Sequence, residues 1–506
     1  MLFAISTVNA FLWTAFSLAE LGDGNQMFLD MYLLAIGWTE TAVIMSGILR
    51  GVVDLLLKSV AGDIIDKTTR DRRNFLGVSA LVVAASCLLV FFVNGNDIED
   101  KILVYSVRSI ESVALAFIGP VFNAIALSAF GPEMFDSIMV KKELVSHLGE
   151  VVSRVLSAAI SWIYYPNIEL VFILPAIFAA SATFFVRKIP KGNHLLGRGF
   201  HAEKDIKTVD SGDIKDEKSK APPEAASYFE VFTDKRIIAI IAADVFHVIS
   251  EANVGLIFNE TLADVGSYSS NSSYYDGGNN ARMLQSYYSE GEFYEEESAN
   301  EAVMSREAIP LLATAGTAAQ LVMILGTWVV GYLTSRGVGR KPFYLLHLCA
   351  HPVRVILIML CLYTNAGKGW LVSTEFIGGL TGALGIVNVF MRADICFGSG
   401  RLNVVDGFQA TIRGIAATSS QYLLGIVLEK KGPMSALTIS LVVGILPPII
   451  GAIFVPETLG MREKDFKAEK EEERILKSIS TDSEEGFQDD HFIEARTSPV
   501  KYVEMK

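Results

Sequence analysis

Apolar residues along this chain gather in blocks roughly twenty residues long, the length a helix needs to cross the hydrocarbon core of a bilayer. The blocks cover 2–18, 42–60, 75–93, 102–130, 144–164, 168–186, 237–258, 308–333, 343–363, 371–391, 408–428 and 435–454. They are not spread in the 3.6-residue stripe of a soluble amphipathic helix. Repeated twelve times, the pattern predicts a bundle of spanning helices, because inside lipid each segment must satisfy its own backbone polar groups. The second block is the weakest, since Arg50, Asp54 and Lys58 interrupt it. Their spacing puts all three on one helix face, which can look towards protein or water. The first block has no Lys or Arg ahead of it and carries Asn9, Trp13 and Ser17. It is expected to be the first spanning helix and not a cleaved segment.

Composition sharpens this picture. Of 506 residues, 51% are hydrophobic and only 20% are charged, against about a quarter charged in soluble proteins. The net charge of −13 sits largely in 259–307 and in the tail after Gly460. No basic stripe exists, so a nucleic-acid partner is not implied. Three of the four cysteines (Cys87, Cys349, Cys361 and Cys396) fall inside apolar blocks. Core packing is the expectation for them, without a disulfide framework.

Loop charge sets the expected orientation. With the N-terminus cytoplasmic, the short inner loops carry Lys67, Arg70, Arg72, Arg73, Lys141, Lys142, Arg336, Arg340, Lys341, Arg392 and Arg401. The outer ones carry only Lys101, Lys368, Lys430 and Lys431, which satisfies the positive-inside rule. The expected domains are a six-helix bundle over 1–186, a cytoplasmic linker over 187–236, a second bundle over 237–460 and a cytoplasmic tail over 461–506. The linker contains Ala221-Pro222-Pro223 and reads as disordered. Segment 259–307 is expected outside. It holds ten acidic residues, two basic ones and six tyrosines. It also holds two glycosylation sequons, at Asn259 and Asn271. In the tail, Glu471 followed by Ile475 and Leu476 is similar to an acidic dileucine signal for sorting machinery.

Two loops echo each other six blocks apart. The first runs Gly62-Asp63-Ile64-Ile65-Asp66-Lys67, with Arg72 and Arg73 behind it. The second runs from Gly331 to Ser335-Arg336-Gly337-Val338-Gly339-Arg340-Lys341. Both resemble the G-x-x-x-D-[RK]-x-G-[RK]-[RK] signature of the major facilitator superfamily. Gly62, Asp66 and Lys67 match its first fixed positions, while Thr69 stands where glycine is expected and Ser335 replaces the acid in the second copy. Arg108 and Glu111 are similar to its R-x-x-Q-G motif. Pro456-Glu457-Thr458-Leu459-Gly460 is similar to its P-E-T-x-G ending. The run from Arg392 to Asn403, with Gly407 after it, looks like a subgroup pattern of members with unassigned substrate. The resemblance implies two six-helix halves rocking about a central site. It also implies gate latches at the two loops, better supported at the first, where Asp66 is present.

Ionisable groups inside spanning helices need a partner or a cavity. The fifth block carries His147, Glu150 and Arg154, and the seventh carries Asp244, His247 and Glu251. Each set is spaced i, i+3, i+7 and so shares one helix face. A proton relay in one of them, with Arg108 or Arg154 on an anionic part of the substrate, is one reading. Mutual salt bridges that fix helix rotation are the other. Asn9, Trp13, Glu375 and Asn388 are further polar candidates in cavity helices. His347, His351 and Arg354 form a polar face of the ninth block, expected to be structural.

The chain therefore reads as an all-α integral membrane protein with twelve transmembrane helices in two pseudo-symmetric bundles. The expected function is secondary transport of a small solute, coupled to protons, in the plasma membrane or an endomembrane. Alternatives are a passive uniporter and a non-transporting sensor or adaptor on the same scaffold. No phosphate-binding loop, nucleophile elbow or zinc-ligand helix occurs, so no cofactor, metal or catalytic residue is expected.

Overall fold

The computed structural model describes residues 6–19, 29, 32–33, 36–38, 40–93, 95–164, 168–200, 225–252, 254–255, 257–258, 261 and 308–463. The described residues are helical throughout apart from turns and short connections. The first half holds α1 (Thr7–Leu18), α2 (Glu40–Lys67), α3 (Arg72–Leu89), α4 (98–130), α5 (132–164) and α6 (Ile173–Val186). The second holds α7 (Lys235–Glu251), α8 (Ala308–Ser335), α9 (Arg340–Tyr363), α10 (Lys368–Cys396, in three pieces), α11 (Leu402–Lys431) and α12 (Pro433–Phe454, in two pieces). Every apolar block thus yields a helix. The twelve fall into two six-helix bundles.

Local chemistry sets the boundaries. Ser6, Asp71 and Asp234 cap α1, α3 and α7, each accepting a backbone N–H of the first turn. α4 and α5 form one helical stretch broken only at Gly131, where φ is 78° and ψ 170°. Pro132 then opens α5 at a position where its missing N–H costs nothing. The polar residues 132–143, read from sequence as loop, are therefore helix. They are polar because this part of α5 projects beyond the apolar block. Seven stretches among the described residues are long and apolar enough to span a membrane on length and composition, α4–α5 counting as one. The polar helices α2, α7 and α11 are not among them. α2 and α11 pack on each other across the halves, and α7 and α11 carry part of the buried polar network.

The halves meet along two helix pairs, α2 with α11 and α5 with α8. On the first, a Cβ at Gly62 would lie 2.2 Å from the Asn403 carbonyl oxygen, and one at Gly407 would lie 2.3 Å from that of Lys58. Only glycine lets the backbones approach this closely, and close packing is what holds helices together in lipid. Thr411 of α11 donates to the Leu55 carbonyl (2.9 Å) and shares a hydrogen bond with Ser59 (2.9 Å). Within the halves, Phe11 of α1 packs edge-on against Phe122 and Phe130 of α4.

The segment read as a disordered linker is ordered at both ends. Residues 187–200 and 225–234 pack beneath the gate loops, because backbone groups there find partners. Asn193 N–H donates to the Ser128 carbonyl (2.9 Å), Gly398 N–H to Gly199 (2.5 Å) and Ala226 N–H to Ser399 (2.8 Å). The stretch 201–224, the sequons at Asn259 and Asn271, and the dileucine at Ile475 and Leu476 lie outside the described residues.

Gly407→Val should force α2 and α11 apart at a cost of about 1–3 kcal/mol. The check is maleimide labelling of a cysteine placed at Thr411, with Cys349 and Cys361 replaced by serine. Labelling should rise several-fold over the same protein with Gly407 intact; equal labelling would show that the seam does not depend on this approach.

Candidate functional site

Charged and amide side chains from both halves build three layers: a latch at the gate-loop face, a second clamp beside it, and a network at mid-membrane depth.

At the first latch, Asp66 ends α2 fully buried. Its carboxylate accepts from the Asn403 side chain (2.7 Å) and the Val404 backbone N–H (2.8 Å). Those two residues lie in the first turn of α11, whose unsatisfied N–H groups and dipole favour an anion. Asn403 also donates to the Gly197 carbonyl (3.1 Å). Arg72 is buried and donates to the Ile65 and His194 carbonyls (3.3 and 3.1 Å), tying the loop to the linker end. Arg73 grips Asp71, and this pairing holds the Asp71 carboxyl below its ordinary range against the effect of burial. Lys67 points away. It pairs with Asp63 on its own helix (2.6 Å) while largely exposed, so it adds little to the latch.

The second clamp lies at the loop where Ser335 replaces the acid. Its acids come from elsewhere. Arg340 bonds Asp136 of α5 (2.5 Å) and Asp394 of α10. Arg462, after α12, bonds the same two carboxylates (2.8 Å each) and the Pro132 carbonyl (2.8 Å). Glu457 of the Pro-Glu-Thr-Leu-Gly ending accepts from the backbone N–H groups of Arg340 (2.8 Å) and Lys341 (3.1 Å), capping α9. It also accepts from Thr458 and Leu459. Burial pushes its carboxyl up, but these four donors outweigh that and hold it below the usual range. Gly331 packs against Val140 of α5, Gly339 precedes α9 beside Glu457, and Arg336 lies exposed over the Tyr332 ring.

The mid-membrane network centres on Asp244. It is 14 Å or so along α7 from Lys235 at about 1.5 Å per residue, roughly halfway through a hydrocarbon core of about 30 Å. Asp244 accepts from Asn388 (2.5 Å), Gln409 and Tyr344 (3.5 Å), all neutral donors. Asn388 accepts from Arg392 (2.9 Å), and Arg392 donates to Asp406 (2.7 Å). Asp406 accepts from Asn123 of α4 (2.7 Å), so the chain of bonds crosses to the other half. His247 stands a turn beyond Asp244, with its ring centroid 4.6 Å from that of His347 and 5.2 Å from that of His351. Glu251 lies 3.9 Å from His247 Nε2.

The sequence-predicted sets are thus partly brought together. Glu150 and Arg154 pair at 3.5 Å on α5, and Gln320 of α8 reaches Glu150 from the other half (2.5 Å) and His147 as well. Arg108 and Glu111 pair at 3.5 Å within α4, both buried. Asn9 is exposed in the first turn of α1, its backbone N–H capped by Ser6. Trp13 stacks on Phe185 of α6 (5.8 Å), apart from the network. Arg108, Arg154, Arg354 and Arg392 each meet a carboxylate. Sequence reasoning missed Asn123, Asp136, Gln320, Asp394, Asp406, Gln409 and Arg462.

This two-bundle architecture has known relatives. The family model described as Major Facilitator Superfamily matches residues 1–272. The chain belongs to this superfamily. It is 24% identical over 424 residues to an uncharacterized MFS-type transporter of Mycobacterium tuberculosis (strain ATCC 25618 / H37Rv), covering 82% of this chain and 85% of that one. Among solved structures it resembles the proton:xylose symporter XylE, with a TM-score of 0.60, 11% identity, and 90% and 96% of the two chains covered. It also resembles the nucleoside transporter NupG, with a TM-score of 0.53, 13% identity, and 89% and 99% covered. As a superfamily member the chain is an integral membrane protein of transporter type.

Two outcomes follow from the latch geometry. Asp136→Asn and Arg340→Gln should each lower the thermal midpoint, costing about 1–3 kcal/mol for a charged hydrogen bond. The double variant should lose no more than the worse single one, whereas additive losses would show that the two do not interact. Glu457→Gln should remove an acid-sensitive share of stability. A carboxyl lowered on folding contributes above its unfolded value and loses that contribution as pH falls through the folded one. Thermal midpoints of wild type and variant should therefore converge at acid pH and diverge at neutral pH; a constant gap would refute this.

Proposed function

We propose that this protein is a secondary active transporter that moves a small solute by alternating access, coupled to protons. The observation that carries the reading is Asp244, buried at mid-membrane and held by three neutral donors. A buried carboxylate without a direct cation is costly as an anion. Protonation would remove that charge and turn an acceptor into a donor. The Asn388 and Gln409 amides would then have to turn, and the next bonds along the chain run through Arg392 and Asp406 to Asn123 in the other half. Proton binding thereby reaches the seam that must part when the halves rock. The gate-loop face is shut by both clamps, in keeping with one end state of such a cycle. The solved neighbour XylE is a proton:xylose symporter, which supports coupling in this architecture without fixing the solute. The loop charges favour cytoplasmic termini.

Asp244→Asn keeps size and hydrogen bonding but cannot take the proton. In proteoliposomes offered a panel of sugars, nucleosides, amino acids and organic anions, gradient-driven accumulation should fall at least tenfold in the variant. Solute exchange at equal pH should persist. Unchanged gradient-driven uptake would remove Asp244 from coupling, and a flat wild-type response across the panel would count against transport.

A further inference from the structure

The imidazoles of α9 were expected to be structural. Their placement gives them more to do. His247, His347 and His351 are all buried, and their rings form one cluster about the His247 ring, at 4.6 and 5.2 Å. His347 Nδ1 lies 2.8 Å from the Thr381 carbonyl, which can only accept. Nδ1 therefore carries the hydrogen, and Nε2 of that ring is left as an acceptor. His351 makes its own bond to the Ser250 backbone. Among the described residues, two buried ring nitrogens, His247 Nδ1 and His351 Nε2, have no hydrogen-bond partner, and they belong to neighbouring rings. A buried polar atom left unmade is costly unless it has a use.

The surroundings have a gradient. Glu251, at the end of α7 remote from the gate-loop face, has 45% of its side chain exposed and faces His247 Nε2. Asp244 and Tyr344 lie on the opposite side of the cluster. Arg413 of α11 lies within electrostatic reach of His247, His347 and Tyr344. Arg354 of α9 is paired to Glu375 of α10, and Arg392 to Asp406. From α12, Gly444 stands near His351, and the described α12 carries no charged residue.

We propose that His247, His351 and His347 form the proton antechamber of the transporter, taking a proton from Glu251 and holding it a helical turn from Asp244. This rests on the proton-coupled reading above and adds the residues by which the proton arrives. In the first step the Glu251 O–H bond breaks and an N–H bond forms at His247 Nε2. The imidazolium then gives up its Nδ1 proton to His351 Nε2, and His247 returns to neutral with the opposite tautomer. The proton shared between these two rings satisfies both orphan nitrogens with one hydrogen. His347, its Nε2 left as an acceptor and its ring between His247 and Tyr344, stands on the side of the cluster towards Asp244. Coupled rings of this kind titrate as a unit and not singly, and imidazole suits exchange near neutral pH.

The test uses the full chain in liposomes. In the unsubstituted protein, solid-state NMR with 15N-labelled histidine between pH 5 and 8 should show an imidazolium signal that His247→Gln and His351→Gln each remove. Three neutral buried rings throughout that range would overturn the proposal, whatever the variants do. A second readout places spin labels at Lys141 and Arg336, across the α5–α8 seam, in a Cys349→Ser, Cys361→Ser background. The pH midpoint of seam opening should fall by at least one unit in His247→Gln and His351→Gln, because each loses proton affinity. Variants that titrate like the wild type, while Asp244→Asn abolishes the titration, would sink the antechamber and leave coupling standing. A wild-type seam indifferent to pH would sink coupling itself.

Discussion

A charge buried between two moving bodies is tolerable only while a partner on the other body faces it. That constraint organises the structure. Asp66 belongs to the first half and is satisfied by the start of α11 in the second. Asp136 belongs to the first half and is satisfied by Arg340 and Arg462 of the second. Asp406 belongs to the second, where Arg392 pairs with it, and accepts from Asn123 of the first. Each arrangement exists in one relative position of the halves. Net stabilisation from such pairs is modest, since desolvation offsets attraction. What they supply is discrimination, because a halfway position takes from each of these acids its bond to the other half, although Asp406 keeps Arg392 of its own.

The halves are alike in fold and unlike in chemistry. Both contribute acids to the gate-loop face. The dense buried network of Asp244, Asn388, Arg392, Asp406 and Gln409, with the three imidazoles beside it, belongs to the second half. The first half reaches it through the amide of Asn123. On the other seam the pattern reverses. There Glu150 and Arg154 lie in the first half, and Gln320 is the visitor from the second.

The helices were legible because lipid imposes one rule on every spanning segment, and block length expresses it. Gly62 and Asp66 were legible because a loop signature fixes a close approach and an acid together. Asp136 and Asp394 were not. The sequence put Asp136 in a loop, because a polar stretch of α5 beyond the apolar block looks like one. Its partner Arg340 is 204 positions away, and no local spacing encodes such a pair. Ser335 in place of the acid gave no hint of Asp136 and Asp394, because a clamp needs an acid in space and not at a given register. Patterns did mark some positions without showing their partners. Asp394 stands inside the Arg392–Asn403 run and Glu457 sits in the ending motif, whereas Asp406, just before Gly407, was not singled out. The linker ends were misread because polar composition says nothing of backbone partners. Gly199 and Ala226 are held by the loop between α10 and α11 through main-chain bonds.

The clamp around Arg340 carries two guanidinium groups and two carboxylates, so its formal charges cancel. Parting it leaves Asp136 on one half and a net single positive charge, from Arg340, Arg462 and Asp394, on the other. An elementary charge moved across the electric field of a membrane is worth about 2.3 kcal/mol per 100 mV. Membrane voltage therefore acts on this clamp to the extent that its two opposite charges move apart along the field.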